Sequence, residues 1–156
     1  MNADQISVHP RESAAKLLLS CARTESGEID WEYVFQLARR HSVVPLLYVQ
    51  LEKQSSDLVP QEFLNKLRKH YIENAARNTV LTAELCRLIN LFRDEGIEAI
   101  PYKGPVLALF AYGNVALRRF VDLDIIVRKH DVLRAREILL NEGYTQSKRS
   151  EERRVG

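Results

Sequence analysis

The stretch that decides the fold occupies residues 97–127 and has the sequence IEAIPYKGPVLALFAYGNVALRRFVDLDIIV. It opens with a short apolar run between two glycines, which predicts a buried strand over residues 97–102. Residues 106–112 predict a short helix, with Pro105 at the first helical position, where its missing N–H group would have no partner anyway. A loop containing a glycine then leads to a second strand over residues 121–127. The stretch therefore predicts two neighbouring strands of one sheet, connected by a short helix.

Two carboxylates stand at the start of the second strand, in the sequence Asp122-Leu123-Asp124. Because side chains alternate along a strand, we expect both aspartates on one face, with Leu123, Ile125 and Val127 toward the core. Adjacent carboxylates repel each other and are costly to desolvate, whereas hard oxygen ligands suit Mg²⁺. The alternative is a solvated strand start that binds no metal. We expect a Mg²⁺ site at Asp122 and Asp124.

A second binding element precedes the short helix, at the turn that contains Gly104. The first N–H groups of a helix lack intrahelical partners and lie at the positive end of the helix dipole. This combination favours a phosphate group. We therefore expect phosphate and metal to be bound on adjacent elements.

These motifs resemble the nucleotidyltransferase superfamily of DNA polymerase β, in which a strand and a glycine at a helix start precede Asp-x-Asp on the next strand. The helical segment before them, with Asp30-Trp31 and HSVVPLLY at residues 41–48, is similar to a bacterial branch of that superfamily, and the resemblance covers most of residues 10–145. At Gly104-Pro105 the superfamily usually has glycine followed by glycine or serine, and the proline removes one N–H group. The motif residues that resemble this branch are Lys103-Gly104, Tyr112-Gly113, Arg118 and Asp122-Leu123-Asp124.

The resemblance implies a role for each residue of the site. Asp122 and Asp124 would be the catalytic residues that hold Mg²⁺, completed by a third carboxylate on a later strand. Gly104 would mark the turn that cradles the phosphates of an NTP, and Lys103 and Arg118 would contact phosphate. Arg118 could equally pair with Asp122 and orient it.

The same resemblance implies transfer of a nucleotidyl group from an NTP to the hydroxyl of an unknown acceptor, a small molecule or a protein, with release of pyrophosphate. Mg²⁺ would neutralise charge at the α-phosphorus and activate the hydroxyl. The alternative is a non-catalytic module of the same fold that binds nucleotide or a partner protein. Release of pyrophosphate that depends on Mg²⁺ would distinguish the enzyme from the binding module.

Composition is ordinary for a globular protein, since 46% of the 156 residues are hydrophobic and 28% are charged. The formal net charge of +2 is too small to indicate nucleic acid or a membrane surface as a partner. No apolar run approaches the roughly 20 residues that span a bilayer, and the N-terminus lacks a signal-peptide pattern. We expect Cys21 and Cys86 to be buried, reduced thiols, with a disulfide or a catalytic cysteine as the alternatives. The sequence therefore predicts a cytoplasmic protein.

The remaining periodicity predicts further helices and sets the fold class. We predict an α+β fold, with a helical N-terminal layer over residues 1–95. The first half of a polymerase β-like nucleotidyltransferase α/β core follows over residues 96–148, with a small mixed sheet. Residues 144–146 could begin a third strand. The helices are expected over residues 10–23, 31–41, 46–52, 60–95 and 132–141.

Three polar residues have two interpretations each. Asn74 and Asn78 fall on the apolar stripe of the longest helix, where we expect them to form hydrogen bonds with neighbouring helices or to lie where the helix runs past the core. The alternative is that they face a nucleotide cleft. For Arg119 we expect pairing or solvation in preference to phosphate contact.

The end of the chain carries a separate prediction. Residues 149–156, RSEERRVG, resemble translated sequencing-adapter DNA, and we expect the chain from residue 147 onward to be poorly packed. The third carboxylate has no candidate after Asp131, because the later acids lie on the last helix or in this tail. We therefore expect a C-terminally truncated fragment that releases no pyrophosphate from any NTP and tends to aggregate through an open sheet edge.

Overall fold

The structure, a computed structural model, describes residues 19–20, 22, 27–54 and 59–146. It is mostly helical with one small antiparallel sheet, which confirms the predicted α+β class. Most of the helix predicted over residues 10–23, and the tail from residue 147 onward, lie outside the described residues. The elements are the helices α1 (Trp31–Arg40), α2 (Val44–Gln54), α3 (Gln61–Asp94), α4 (Gly104–Tyr112) and α5 (Val132–Asn141), and the strands β1 (Ala99–Tyr102) and β2 (Asp124–Val127).

The chain forms two compact units that alternate along the sequence. The first takes the residues up to Thr82 and then Lys103–Asp122, and the second takes Ala83–Tyr102 and the residues from Leu123 onward. The first unit therefore contains α1, α2, the first part of α3 and α4, and the second contains the rest of α3 with β1, β2 and α5. The predicted domain boundary after residue 95 stays a prediction.

The core of the first unit is built from the apolar faces of its helices. α1 begins where the Asp30 carboxylate oxygen Oδ1 accepts a hydrogen bond from the Tyr33 N–H group at 2.9 Å, which makes Asp30 the N-cap. Helical spacing then turns Val34, Phe35 and Ala38 into the core. They pack in one cluster with Leu47 and Leu51 of α2 and with Phe63 and Leu67 of α3.

In the second unit, α3 ends at a glycine cap that turns the chain toward β1. The Gly96 N–H group donates to the Arg93 carbonyl at 2.9 Å, and the Ile97 N–H group donates to the Phe92 carbonyl at 2.8 Å. This Schellman pattern needs a left-handed residue, and Gly96 supplies it with a φ of 70°. As a result, Ile97 is buried in the same apolar cluster as Phe92.

β1 and β2 pair antiparallel, from Ala99 opposite Val127 to Tyr102 opposite Asp124. This pairing confirms that the two predicted strands are neighbours in one sheet. The predicted alternation of β2 is also confirmed, because Ile125 and Val127 pack into the apolar cluster while Asp124 is exposed. β2 therefore presents Asp124 at its start and turns Ile125 and Val127 to the core, while Ile126 is exposed.

Residues 144–146, predicted as a possible third strand, form no strand. Here α5 ends with the same type of cap, in which the Gly143 N–H group donates to the Leu140 carbonyl at 3.1 Å. The Tyr144 N–H group donates to the Leu139 carbonyl at 3.0 Å. Because this N–H group closes the helix, it is not available for a ladder. The sheet has two strands in the described part of the chain.

A polar cluster joins α3 to the end of α5 in the second unit. Arg87 pairs with Glu84, Nη2 to Oε1 at 2.9 Å, and with Glu142, Nη1 to Oε2 at 2.5 Å. The Tyr144 hydroxyl donates a further hydrogen bond to Glu84. Arg87 first, and then Tyr144, lower the pKa of Glu84 from 4.5 to about 2.

Acid should weaken the folded protein through Glu84. The pKa of Glu84 is lower in the folded state than in the unfolded state, so its ionised carboxylate stabilises the folded protein. This contribution is complete above a pH of 4.5 and is lost as the pH falls toward about 2. Glu84→Gln should therefore lower the midpoint of urea unfolding at about pH 6 and have a smaller effect at about pH 3. Glu62→Gln, at an exposed glutamate of the same helix, is the matched control. An equal loss at both pH values would contradict this role for Glu84.

Candidate functional site

The glycine turn lies between β1 and α4, where the sequence predicts it. Lys103 has φ 55° and ψ −139°, and Gly104 has a φ of 41°. Positive φ strains a lysine, whereas glycine adopts it readily. Gly104 is itself the first residue of α4, so Pro105 is the second, one position later than predicted. The proline has no N–H group. The other N–H groups at the start of a helix generally have no partner within the helix.

The turn lies against the backbone of Asp122. A Cβ atom built on Gly104 would be 3.5 Å from the carbonyl oxygen of Asp122. Both residues belong to the first unit. The helix start and the first aspartate of the motif are therefore neighbours in the fold, although 18 positions separate them in the sequence.

Asp122 lies in a bend outside β2, so the predicted strand over residues 121–127 is wrong for its first three residues. β2 begins at Asp124 because Asp124 pairs with Tyr102, which is the last residue of β1. Two positions earlier, Asp122 would need Gly104 as its partner, and Gly104 already belongs to α4. Both aspartates are exposed, and no ion pair between described residues includes either. That they share a cation stays a prediction.

Asn74 and Asn78 fix the segment that precedes the aspartates. The Nδ2 group of Asn78 donates to the carbonyl oxygens of Val115, at 2.6 Å, and Arg118, at 2.7 Å. The Nδ2 group of Asn74 donates to the carbonyl oxygen of Ala116 at 2.8 Å. Asn78 is 0% exposed and Asn74 is 4% exposed. Their predicted role as hydrogen-bond donors to a neighbouring element is confirmed.

Arg118 has a buried guanidinium nitrogen, Nη1, without a hydrogen-bond partner among the described residues. A buried donor left without a partner costs about 1–3 kcal/mol, and a phosphate or carboxylate oxygen would satisfy it. The ion pairs found in the described ranges do not join Arg118 to Asp122, the alternative that the sequence left open. The orphaned nitrogen supports Arg118 as a contact for an anion.

The donor set for a metal has two carboxylates. Within the described residues, no group of three His, Cys, Asp or Glu side chains could hold a metal ion. Asp122 and Asp124 nevertheless offer hard oxygen donors of the type that Mg²⁺ prefers, and both are exposed. These two residues fit part of a Mg²⁺ site, and the third carboxylate implied by the resemblance is not among the described residues.

Sequence analysis did not single out two further cationic residues. Arg39 on α1 and Arg77 on α3 line a cavity together with Arg119. The three arginines are widely separated in the sequence, so no spacing pattern connects them. The expected burial of Cys86 is wrong, because this residue of α3 is exposed, although it is a free thiol as expected; Cys21 lies outside the described residues.

Comparison with known proteins gives one match. A family model described as "Uncharacterised nucleotidyltransferase" matches residues 27–155, a range that extends into the tail at 149–156. No curated protein and no solved structure matches the chain. None of the described helices combines the length and the apolar character that a membrane span requires. Because the matched range is well over half of the chain, and includes both the glycine turn and the Asp-x-Asp motif, the chain belongs to this nucleotidyltransferase family.

Proposed function

We propose that the protein transfers a nucleotidyl group from an NTP to the hydroxyl of an acceptor, with Mg²⁺ as the metal and pyrophosphate as the leaving group. The observation that carries the proposal is the approach of the Gly104 turn to the backbone of Asp122, 3.5 Å from a Cβ built on the glycine. A helix start that favours phosphate thereby lies beside the first residue of a pair suited to a metal. The family match supports nucleotidyl transfer as the general activity.

Each residue of the site has a role that follows from its position. Gly104 lets the backbone come close to phosphate oxygens, because it has no side chain to keep them away. Lys103 and Arg118 supply positive charge, and the unpartnered Nη1 of Arg118 is available to a phosphate oxygen. Asp122 and Asp124 would hold Mg²⁺. The bound ion would offset charge at the α-phosphorus and help the acceptor hydroxyl to attack.

One observation favours a second candidate function, a non-catalytic module that binds nucleotide. The described residues offer two carboxylates for the metal and no group of three ligands. Calorimetric titration with each of the four NTPs, with Mg²⁺ and with EDTA, tests the proposal. Binding that requires Mg²⁺ supports the metal site, whereas equal binding in EDTA contradicts it. Pyrophosphate release that requires Mg²⁺ supports the proposed transfer, and Mg²⁺-dependent binding without any release favours the module.

Lys103→Ala should weaken NTP binding by about three- to tenfold, because it removes one charge-assisted contact and leaves the glycine turn in place. Titration of the Mg²⁺–NTP complex into the variant measures the effect. Lys69→Ala, at an exposed lysine of α3, is the control and should leave the affinity unchanged. An unchanged affinity in Lys103→Ala would remove this lysine from the site.

A further inference from the structure

A cavity of about 350 Å³ lies within the first unit, apart from the residues to which the proposed function assigns roles. We call it the arginine cavity. Its volume is in the range of sites that bind small molecules. The lining residues are Arg39, Ser42, Val44, Pro45, His70, Glu73, Asn74, Arg77 and Arg119.

The charges of the arginine cavity do not balance. Three guanidinium groups face one carboxylate, that of Glu73, so the fixed charges sum to an excess of two positive charges. The Oε2 atom of Glu73 lies 3.8 Å from the Nδ1 atom of His70. Among the residues that the structure describes, no ion pair includes Arg39, Arg77 or Arg119.

The hydrogen bond of Arg77 and the ring contact of Arg39 are with neutral groups, and Arg39 interacts with the Glu32 carboxylate only beyond the distance of an ion pair. Arg77 donates from Nη2 to the Oδ1 atom of Asn74 at 3.1 Å, and the guanidinium of Arg39 lies 5.8 Å from the centroid of the Phe35 ring. These contacts hold the two groups in place without neutralising them. Each guanidinium has five N–H donors, so both retain donors for an oxyanion.

The corner between α1 and α2 adds a polar group to the wall. At the end of α1, the Ser42 N–H group donates a hydrogen bond to the Arg39 carbonyl at 3.1 Å. The Val43 N–H group donates one to the Ala38 carbonyl at 2.9 Å. Ser42 has a φ of 58°, a left-handed conformation that glycine usually occupies at this position. The serine places a hydroxyl beside the arginines, and Val44 and Pro45 continue the wall with apolar surface.

We propose that the arginine cavity binds a small molecule through a phosphate or carboxylate group, and that this molecule is the acceptor of nucleotidyl transfer. The second half of the proposal rests on the proposed function. Arg119 is three residues before Asp122, so their Cα atoms are separated by no more than about 11 Å. Arg119 and the first aspartate therefore belong to one short segment of the first unit. The proposed function assigns the NTP phosphates to the Gly104 turn, and neither Lys103 nor Gly104 is among the described residues that line the cavity, which favours the acceptor over the NTP as the occupant.

Phenyl phosphate is a suitable probe, because it carries one phosphate and an apolar ring for Val44 and Pro45. Its affinity should be measured by calorimetry at low ionic strength, without NTP and without Mg²⁺. The double variant Arg39→Gln/Arg119→Gln should weaken binding by about tenfold or more, since two charge-assisted contacts are lost. Glu73→Gln should strengthen binding, because it removes the one carboxylate that the described residues contribute to the wall.

The matched control is Arg40→Gln/Arg68→Gln, which removes two exposed arginines of the same unit that do not line the cavity. It should bind phenyl phosphate like the unmodified chain, and equal circular dichroism spectra would show that all variants fold. If the cavity variant binds phenyl phosphate as tightly as the control, or if the unmodified chain does not bind it, then the arginine cavity is not an anion site.

A second titration separates the acceptor from the nucleotide as the source of the anion. Phenyl phosphate is titrated into the chain saturated with NTP and Mg²⁺. Simultaneous binding supports the acceptor assignment, and competition overturns it in favour of the NTP phosphates. Asp124→Asn should leave phenyl phosphate binding without Mg²⁺ intact, so failure of the metal site can be told from failure of the arginine cavity.

Discussion

Asn78→Leu should lower the free energy of unfolding by about 3 kcal/mol, the largest loss that we expect from one substitution in the first unit. The Asn78 side chain is fully buried and donates to two backbone carbonyls, at 2.6 and 2.7 Å. Leucine has nearly the same size, so the cost comes from two carbonyl groups left without a donor. The Oδ1 atom of Asn78 is itself buried without a partner, and its removal recovers a part of that cost.

A graded series tests this explanation by urea unfolding. Asn74→Leu removes the donor of one carbonyl and should cost less than Asn78→Leu. Asn65→Leu, at an exposed asparagine of the same helix, should change stability by no more than about 0.5 kcal/mol. Losses of equal size at all three positions would show that the buried hydrogen bonds do not set the stability of the 115–118 segment.

Asp124→Asn should abolish the part of NTP binding that depends on Mg²⁺. The substitution removes one negative charge and keeps the shape of the side chain, so the fold should be retained while the affinity for the cation falls. Asp122→Asn should have the same effect if the two carboxylates share the ion. The measured quantity is the ratio of NTP dissociation constants in EDTA and in Mg²⁺, which should approach one in both variants.

Asp94→Asn is the matched control, because Asp94 is an exposed aspartate of the second unit that no ion pair of the described residues includes. It should keep the full difference between EDTA and Mg²⁺. Asp124→Asn with an undiminished Mg²⁺ effect would mean that the carboxylates of the motif do something other than hold metal.

The helices could be predicted because each carries its own start, period and end. α5 begins and ends at the predicted residues, and Gly143 follows it with the positive φ that closes a helix. Strand lengths depend on the partner, which a single segment does not contain. β2 is three residues shorter than predicted because its ladder ends where β1 gives way to α4 at Gly104.

The same distinction between local and long-range information applies to the candidate site. The motif from Lys103 to Asp124 could be recognised because its residues are close in sequence, and the structure places its glycine turn beside Asp122. The arginine cavity could not be predicted, since α1, α3 and the segment after α4 each contribute one arginine. Only the packing of the first unit brings Arg39, Arg77 and Arg119 to one wall.

Ser42 and Lys103 are, among the residues that the structure describes, the two that have positive φ without being glycine. Such a conformation costs of the order of 1–3 kcal/mol, which glycine would largely avoid. One of them lines the arginine cavity and the other forms the turn before α4. In the language of energy landscapes these are points of local frustration, where the best residue for folding is not the one present. Selection for stability alone would favour glycine at both positions. If Lys103 and the arginine cavity bind as proposed, the two side chains lower stability in exchange for binding, and a stabilising redesign should leave both positions unchanged.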